Sequence, residues 1–304
     1  MLRRATVPQP ARRPPRRRVA RAAWWLIAPL VVFLLLTLGF PLLADVFYSF
    51  TQLTFETLFR PVGNGLANYT ETVRDPRFWE ALWFSVRFGL TASVVQVLLG
   101  LGMALLFQPL LERHRPLLAL LLLPMMISPA LMAVMYRLIL NDFVGVIPRY
   151  LQLAGVPPFD LFGPQWGFLT LVTIEVLQWT PFAFLVLYTA LQAVPTEITE
   201  AAQIDGASYP QILGRVLLPL MVPALAITAF IRLIDAFRVF DHIYVLTGGG
   251  PGTSTTSISI YIYKRFFQEN ALGGAIASSM LLLLLTLVPL LLLMRLAVRG
   301  ATRE

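Results

Sequence analysis

The sequence contains no cysteine, and this absence excludes disulfide bonds, thiolate nucleophiles and cysteine-ligated metals. Histidine is nearly as scarce, because His114 and His242 are the only two, so no metal site built from a histidine cluster is expected. Charge is low as well: 13% of the 304 residues are charged, against roughly 25% in soluble domains. Together with a hydrophobic fraction of 57%, this composition indicates that lipid is the main solvent of the chain.

Lysine is almost absent, since Lys264 is the only one in the chain. A P-loop needs a lysine directly after its glycines to reach the terminal phosphates of a nucleotide. The glycine-rich run "TGGGPGTSTTS" at 247–257 has no such lysine. We therefore expect a chain that carries no cofactor and no metal and that has no ATPase activity of its own.

Arginine supplies nearly all of the positive charge, and its distribution is uneven. Eight arginines lie before residue 22, directly ahead of an apolar run. This placement is typical of a segment that sets membrane topology and not of a nucleic-acid-binding surface. The apolar run from Trp24 to Ala44 exceeds the roughly 7–15 residues of a signal-peptide core, so we interpret it as a membrane anchor that is retained.

Six segments are long and apolar enough to cross a bilayer, which requires about 20 helical residues each. They lie near 24–44, 83–107, 117–140, 166–190, 217–236 and 275–295. The sequence thus predicts an all-α integral membrane protein with six transmembrane helices in one domain, 24–295, between an Arg-rich tail, 1–23, and a short tail, 296–304. If both termini are cytoplasmic, that side carries fourteen basic residues, with Arg295 at the end of the sixth span included, against seven outside, in agreement with the positive-inside rule.

Prolines interrupt several of the predicted spans. Pro124 and Pro129 lie in the third span, Pro181 lies in the fourth, and Pro219 and Pro223 lie at the start of the fifth. Each proline removes a backbone donor and bends its helix, and broken helices are where transporters tend to build substrate sites. Prolines are also simply common in membrane helices, so both interpretations stay open.

The segment between the fourth and fifth spans, 196–219, is polar and falls on the predicted cytoplasmic side. Thr196 suits an N-cap, Gly206 suits a left-handed helix C-terminus, and Pro210 suits the first turn of a second helix. The pattern predicts a short helix, a tight turn and another helix at the membrane surface. The residues alone allow two interpretations, a docking site for another protein or an ordinary amphipathic interfacial helix.

This segment reads "EAAQIDGASYPQILGRVLLP" over 200–219 and resembles the EAA motif of permease subunits in binding-protein-dependent ABC importers. Its one departure is Val216, where the motif usually has isoleucine. In that family the loop is a coupling helix that docks in a cleft of the ATP-hydrolysing subunit. The resemblance implies that Glu200 pairs with a basic residue there and that Gly206 permits the turn. The positions matched to this ATPase-coupling role are Glu200, Ala201, Ala202, Asp205, Gly206 and Pro219.

Two longer stretches, "WTPFAFLVLYTALQAVPTEITEAAQIDGAS" and "DAFRVFDHIYVLTGGGPGTSTTSISIYIYKRFF", resemble carbohydrate-uptake permeases of the MalF type. The resemblance covers 24–295 and implies a multi-pass subunit of a bacterial inner membrane importer for an oligosaccharide, polyol or glycerol phosphate. It also implies the partners: a second homologous permease, two ATPase subunits that bind ATP and Mg²⁺, and an extracytoplasmic solute-binding protein. Short outer loops, and Pro148 where many relatives carry asparagine, discourage the assignment of maltose.

Charged and polar residues within spans are candidates for the substrate pathway, because their burial in lipid is costly. Aromatic faces suit the C–H surfaces of a sugar, and amides and carboxylates suit its hydroxyl groups. The candidates are Glu175, Gln178, Trp179, Arg232, Asp235, Phe237, Arg238 and Asp241. As an alternative, Arg232 and Asp235 only neutralise each other, and Asp235 and Asp241 only anchor the outer loop.

The outer loop 245–257 contains Gly248, Gly249, Gly250 and Gly252. We expect this run to be flexible and to reach toward a docked binding protein. The alternative is a plain connection between the fifth and sixth spans.

Two other function classes compete with the importer. A stand-alone ion-coupled transporter would use Glu175 or Asp235 as a proton carrier, but it predicts internal repeats that are not visible and leaves the EAA segment unexplained. An intramembrane enzyme lacks a matched nucleophile and base, since there is no cysteine and the two histidines lie outside the predicted spans.

Overall fold

The computed structural model describes residues 26–114, 116–155, 157 and 160–301, and from residue 288 onward it describes the backbone alone. The chain divides into two compact units: residues up to Tyr69 together with those from Ala271 onward, and Thr70–Asn270. Each unit is described by itself. The predicted tail 1–23 and the first residues of the first predicted span lie outside the described residues.

The first unit brings together the first and last described helices of the chain. Helix α1, Leu26–Ser49, contains a π-helical stretch, Leu35–Gly39, and packs against α13, Leu272–Ala301. After α1, strand β1, Thr51–Gln52, pairs antiparallel with β2, Val62–Gly63. This small pair is the only sheet among the described residues, so the all-α prediction holds for nearly all of the described chain.

Long helices form the centre of the second unit. The remaining helices, in chain order, are α2 Ala67–Arg74, α3 Pro76–Arg113, α4 Pro116–Met126, α5 Pro129–Ile139, α6 Val146–Leu153, α7 Gly167–Gln192, α8 Thr196–Ile204, α9 Tyr209–Ile212, α10 Leu218–Phe237, α11 Asp241–Thr247 and α12 Ile258–Tyr263. Helices α3, α7 and α10 pack against one another, and α11 packs against α5 and α7. Two π-helical stretches, Leu213–Leu217 and Lys264–Gln268, lead into α10 and continue α12.

Small residues let these helices approach closely. A Cβ atom on Gly100 of α3 would lie 2.7 Å from the backbone nitrogen of Phe184 in α7. A Cβ atom on Gly89 would lie 3.2 Å from the Cα atom of Phe237, at the end of α10. In lipid, helix association depends on such close packing. The hydrophobic effect does not drive it, because lipid tails are as apolar as the helix faces.

The third predicted span, 117–140, is two helices. Helices α4 and α5 are bent by 84° at a break of a few residues, so the pair is either one broken span or a re-entrant loop. Pro129 begins α5, where its missing N–H costs no hydrogen bond. The side-chain amide of Gln178 donates to the carbonyl of Ile127 at the break, at 2.7 Å, and so satisfies a group that the helices leave free.

The other prolines do not break their helices. Pro181 lies inside α7 and Pro223 lies inside α10, and both helices continue through them. The prediction of a break at these positions is therefore wrong, because the missing backbone donor of a proline disturbs a single helical turn and the helix resumes beyond it.

The described residues contain four helices that are long and apolar enough to cross a membrane, or five if the bent pair counts as one span. The sixth predicted span, 275–295, falls within α13, whose apolar described part, Leu272–Leu287, is shorter. The count of six therefore stays a prediction, whereas the helical class of the protein is confirmed.

Candidate functional site

The segment 196–219, here called the coupling segment, forms a helix, a tight turn and a second helix, as the sequence predicts. Pro195, and not Thr196, occupies the N-cap position of α8. Gly206 has a φ of +80°, the left-handed conformation that glycine adopts without strain. The turn is followed by a capping box in which Ser208 and Gln211 bond each other's backbone groups at the start of α9.

The outer surface of the coupling segment is open to solvent. Glu200, Ala201 and Asp205 are exposed, and within the described part of the chain the carboxylate of Glu200 has no ion-pair partner. Ile204, near the end of α8, is 87% exposed as well. Pro219 lies exposed in the first turn of α10.

Ala202 differs from the expectation that it faces a partner. It is half-buried and packs, together with Ala207, against the apolar cluster that contains Leu191 and Ile212. Successive residues of a helix point about 100° apart, so Ala202 turns inward when Glu200 and Ala201 turn outward. Its small side chain lets α8 lie close to its own protein.

A buried polar network joins α7, α10 and α11. Nη2 of Arg232 lies 3.2 Å from Oε1 of Glu175, and the two side chains are 1% and 4% exposed. The second carboxylate oxygen of Glu175 lies 2.8 Å from Nδ1 of His242. The Glu175 carboxylate therefore contacts two basic side chains from two other helices.

Amide side chains complete this network. Gln96 of α3 accepts from Nε of Arg232 at 2.9 Å and donates to the backbone carbonyl of Glu175 at 3.1 Å. Oε1 of Gln178 lies 2.5 Å from Nε2 of His242. Buried charges are tolerated when they are paired and hydrogen-bonded in this way.

Arg232 also contacts the outer part of the site. Its guanidinium carbon lies 4.8 Å from the centre of the Trp179 ring, within cation–π distance, and Nη1 lies 3.3 Å from Asp235. Asp235 in turn pairs with the exposed Arg238 at 2.9 Å. The alternative that Arg232 and Asp235 only neutralise each other is wrong, because Arg232 binds Glu175 and Gln96 as well.

A cavity of about 360 Å³ opens beside this network. Its lining residues are Pro129, Glu175, Trp179, Arg232, Asp235, Arg238, Val239, Phe240, Asp241 and His242. Most of the predicted pathway residues thus meet at one place. The cavity combines aromatic rings with carboxylates and guanidinium groups, and these suit the C–H faces and the hydroxyl groups of a polyhydroxylated solute.

Two of the predicted pathway residues do not line the cavity. Phe237 packs its backbone against Gly89 of α3, where it serves helix packing. Gln178 is buried and connects His242 to the break between α4 and α5. It is a positioning residue for the network and not part of the surface.

Sequence reasoning overlooked two members of the network. Gln96 carries a signal that could have found it, because it is a polar amide in the middle of the second predicted span. His242 follows the fifth span, so its burial between Glu175 and Gln178 depends on how α11 packs against α5 and α7. No local pattern indicates that arrangement.

The loop 245–257 is more constrained than expected. Gly248, Gly249 and Gly252 have positive φ angles, as a glycine run allows. However, the carbonyl of Gly249 accepts from Thr256 and that of Gly250 accepts from Thr255, each at 2.7 Å. Threonine hydroxyl groups thus hold the backbone at Gly249 and Gly250, and the tip at 251–254 is exposed. The reach of this loop toward a binding protein stays a prediction.

The part of the chain that the structure describes contains no group of three or more histidine, cysteine or acidic residues that could hold a metal ion.

Several known proteins are similar to this chain. Residues 21–301 match the family described as "Binding-protein-dependent transport system inner membrane component".

Among curated proteins, the chain is 34% identical over 264 residues to the trehalose/maltose transport system permease protein MalF of Thermococcus litoralis, covering 86% of this chain and 88% of that protein. It is 30% identical over 262 residues to the trehalose transport system permease protein SugA of Mycobacterium tuberculosis, covering 86% and 84%. Neither relative is an ion-coupled transporter by its name, so the ion-coupled alternative receives no support from them.

A solved structure has a similar fold. A chain from the crystal structure of a bacterial ABC transporter involved in the import of the acidic polysaccharide alginate superimposes with a TM-score of 0.74 at 23% identity. The match covers 94% of this chain and 99% of that chain.

Proposed function

The chain belongs to the family of binding-protein-dependent transport system inner membrane components, and we propose that it forms one half of the transmembrane pathway of an ABC importer for a sugar or sugar-like solute. It pairs with a second, similar permease and with two ATPase subunits, and it receives its substrate from an extracytoplasmic binding protein. ATP and Mg²⁺ bind to the ATPase subunits, and this chain has no ATPase activity of its own.

The exposed surface of the coupling segment is the observation that supports coupling to a separate ATPase. The coupling segment presents Glu200, Ala201 and Asp205 to solvent on a helix–turn–helix whose turn requires glycine at 206. Within the described chain, nothing neutralises the Glu200 carboxylate. An exposed, preformed surface with an unpaired charge suits a docking partner with a basic residue. Nucleotide-dependent movement of that partner would move this segment and alternate the access of the pathway.

The proposed orientation of the chain in the membrane follows from this coupling to an ATPase. ATP is cytoplasmic, so the coupling segment lies on the cytoplasmic side of a bacterial inner membrane. With an even number of spans, both termini lie on that side too. The positive-inside bias of the arginines supports this orientation.

The cavity supports a neutral sugar or polyol as the substrate. Glu175, Asp235 and Asp241 contribute three carboxylates to its lining, against the guanidinium groups of Arg232 and Arg238. Both guanidinium groups are already paired with carboxylates. An anionic solute would find no free cation among these lining residues.

Purification with or without partners tests the proposal. The chain is expressed with an affinity tag in its native membrane and purified in mild detergent. We expect two ATPase subunits and a second permease to co-purify, and ATP hydrolysis to be present in the complex and absent from the isolated chain. Hydrolysis by the isolated chain, free of contaminants, or sugar uptake by the chain alone in an ion gradient, would contradict the proposal.

A further inference from the structure

Four aromatic side chains from two helical segments form a continuous row, here called the aromatic ladder: Phe240, Tyr244, Tyr263 and Phe267. The rings of Phe240 and Tyr244 are stacked with their centres 5.0 Å apart. The Tyr263 ring lies 5.1 Å from Tyr244 and 5.2 Å from Phe240. Phe267, one turn further along, lies 4.9 Å from Tyr263.

The ladder begins at the cavity and ends at the surface of the unit. Phe240 lines the cavity next to Arg238 and Asp241. Tyr244 and Tyr263 are half-buried, and Phe267 is 59% exposed. An aromatic surface therefore runs without a gap from the rim of the cavity outward.

Polar groups accompany the rings. Tyr244 and Tyr263 each carry a hydroxyl group that can both donate and accept hydrogen bonds. Asp241, at the cavity end of the ladder, is exposed and has no ion pair within the described chain. Ring faces with nearby hydroxyl and carboxylate groups present both an apolar and a hydrogen-bonding surface to one ligand.

We propose that the aromatic ladder is a carbohydrate-binding surface, on which a sugar ring stacks before it enters the cavity. A sugar ring has weakly positive C–H faces and a rim of hydroxyl groups, which match the negative faces of the rings and the polar groups beside them. The proposal rests on the proposed function, because it assumes that the substrate is a sugar arriving from the outer side.

One feature distinguishes the ladder from an aromatic belt at the membrane surface. Belt aromatics anchor a protein in the headgroup region, whereas these rings contact one another in a row and Phe240 lines the cavity. A path into the cavity accounts for this arrangement.

The test uses the complete complex of both permeases and the ATPase subunits, reconstituted in proteoliposomes with saturating binding protein loaded with trehalose. Tyr263→Leu and Tyr244→Leu remove a ring and keep apolar volume, and Tyr263→Phe keeps the ring. Phe143→Leu is the control, because Phe143 is 95% exposed and outside the ladder. The measured quantity is the number of sugar molecules imported per ATP hydrolysed.

We expect each leucine variant to lower this ratio about two- to tenfold while ATP hydrolysis stimulated by the binding protein continues. Tyr263→Phe should keep more than half of the wild-type ratio, and Phe143→Leu should leave the ratio unchanged. In parallel, a trehalose derivative that carries a diazirine should label peptides containing Tyr244 or Tyr263 upon illumination, and unmodified trehalose should compete with it.

An unchanged ratio in both leucine variants would overturn the proposal. Loss of the second permease from a leucine variant, with sugar labelling of the ladder absent from the wild type, would assign the ladder to the contact between subunits and would overturn it as well. Failure of the proposed function gives a different result, because the wild-type complex would then lack ATPase subunits or import no sugar.

Discussion

Arg232 and Glu175 form an ion pair of 3.2 Å whose two side chains are almost completely buried, and this pair joins α10 to α7. Removing two charges from water is expensive, and their attraction offsets that cost only with good geometry and further hydrogen bonds. Gln96 and His242 supply those bonds. The network is therefore sensitive to the loss of any one charged member.

Glu175→Ala should destabilise the protein by about 3–5 kcal/mol, because it leaves the buried guanidinium of Arg232 without its main partner. Thermal unfolding of the purified complex in detergent measures the effect. Arg238→Ala is the control: Arg238 is 72% exposed, and an exposed pair contributes about 0–1 kcal/mol. The double variant Glu175→Leu with Arg232→Met should recover much of the loss. If Glu175→Ala is as stable as the double variant, leaving the Arg232 guanidinium without Glu175 has no such cost.

Gly100→Ala should destabilise the contact between α3 and α7. Its new Cβ atom would lie 2.7 Å from the backbone nitrogen of Phe184, so the helices must separate. Overpacking of this kind costs about 1–3 kcal/mol. Gly102→Ala, two residues away in the same helix, meets open space and should be neutral or up to about 1 kcal/mol stabilising, because alanine favours helix. Equal melting temperatures for the two variants would contradict this packing.

Gly206→Ala should impair coupling without preventing insertion. A left-handed conformation costs a residue with a Cβ atom about 1–2 kcal/mol, and Gly206 has a φ of +80°. The turn would then shift and move α8 relative to α9. Gly214→Ala is the matched control, because a Cβ atom on Gly214 would meet open space and the φ of Gly214 is not positive. Transport and ATPase retention are measured in parallel, and identical transport by both variants would exclude a role for the turn.

Glu200→Ala should insert normally but lose transport or release its ATPase subunits. If the carboxylate is shielded with a basic residue of the ATPase, truncation costs about 2–5 kcal/mol, much of it from the stranded partner charge. Glu197→Ala lies one turn earlier, is also exposed and should have a milder effect. Wild-type uptake by the Glu200 variant, with its ATPase subunits fully retained, would show that this carboxylate has no coupling role.

The cluster around Asp75 should contribute stability that depends on pH. Burial would raise the pKa of Asp75, but hydrogen bonds from Arg77 and Tyr261 and the charge of Arg77 outweigh it and hold the pKa below the ordinary 3.8. A lowered pKa contributes stability that is present above the unfolded-state value and is lost as pH falls through the folded-state value. Burial also raises the pKa of Tyr261 to about 12, so its hydroxyl remains a donor to Asp75 at neutral pH.

Melting temperatures of the complex, measured from about pH 6 downward, check this expectation. The wild type should lose stability progressively on the acid side, and Asp75→Asn should lose less, because it has no carboxylate to protonate. Parallel curves for the two proteins would mean that Asp75 makes no contribution through its ionised form.

The sequence by itself determined the helical class, the coupling segment and most residues of the cavity. Apolar runs of about 20 residues specify membrane helices, since lipid offers no partner to an unpaired backbone group. Gly206 specified the turn locally, because few other residues adopt its conformation without strain. Polar residues within spans, such as Glu175 and Arg232, indicated a site because their burial without a partner is costly.

Only the tertiary structure decided which of these residues meet. Gln96, Glu175, Arg232 and His242 lie on four different helices, and their contacts depend on how α3, α7, α10 and α11 pack. The same packing kept α7 and α10 continuous through prolines, while α4 and α5 separated at a break whose free carbonyl Gln178 could satisfy. Local propensity acts over a few residues, whereas the partner of a buried charge is chosen by the helices that surround it.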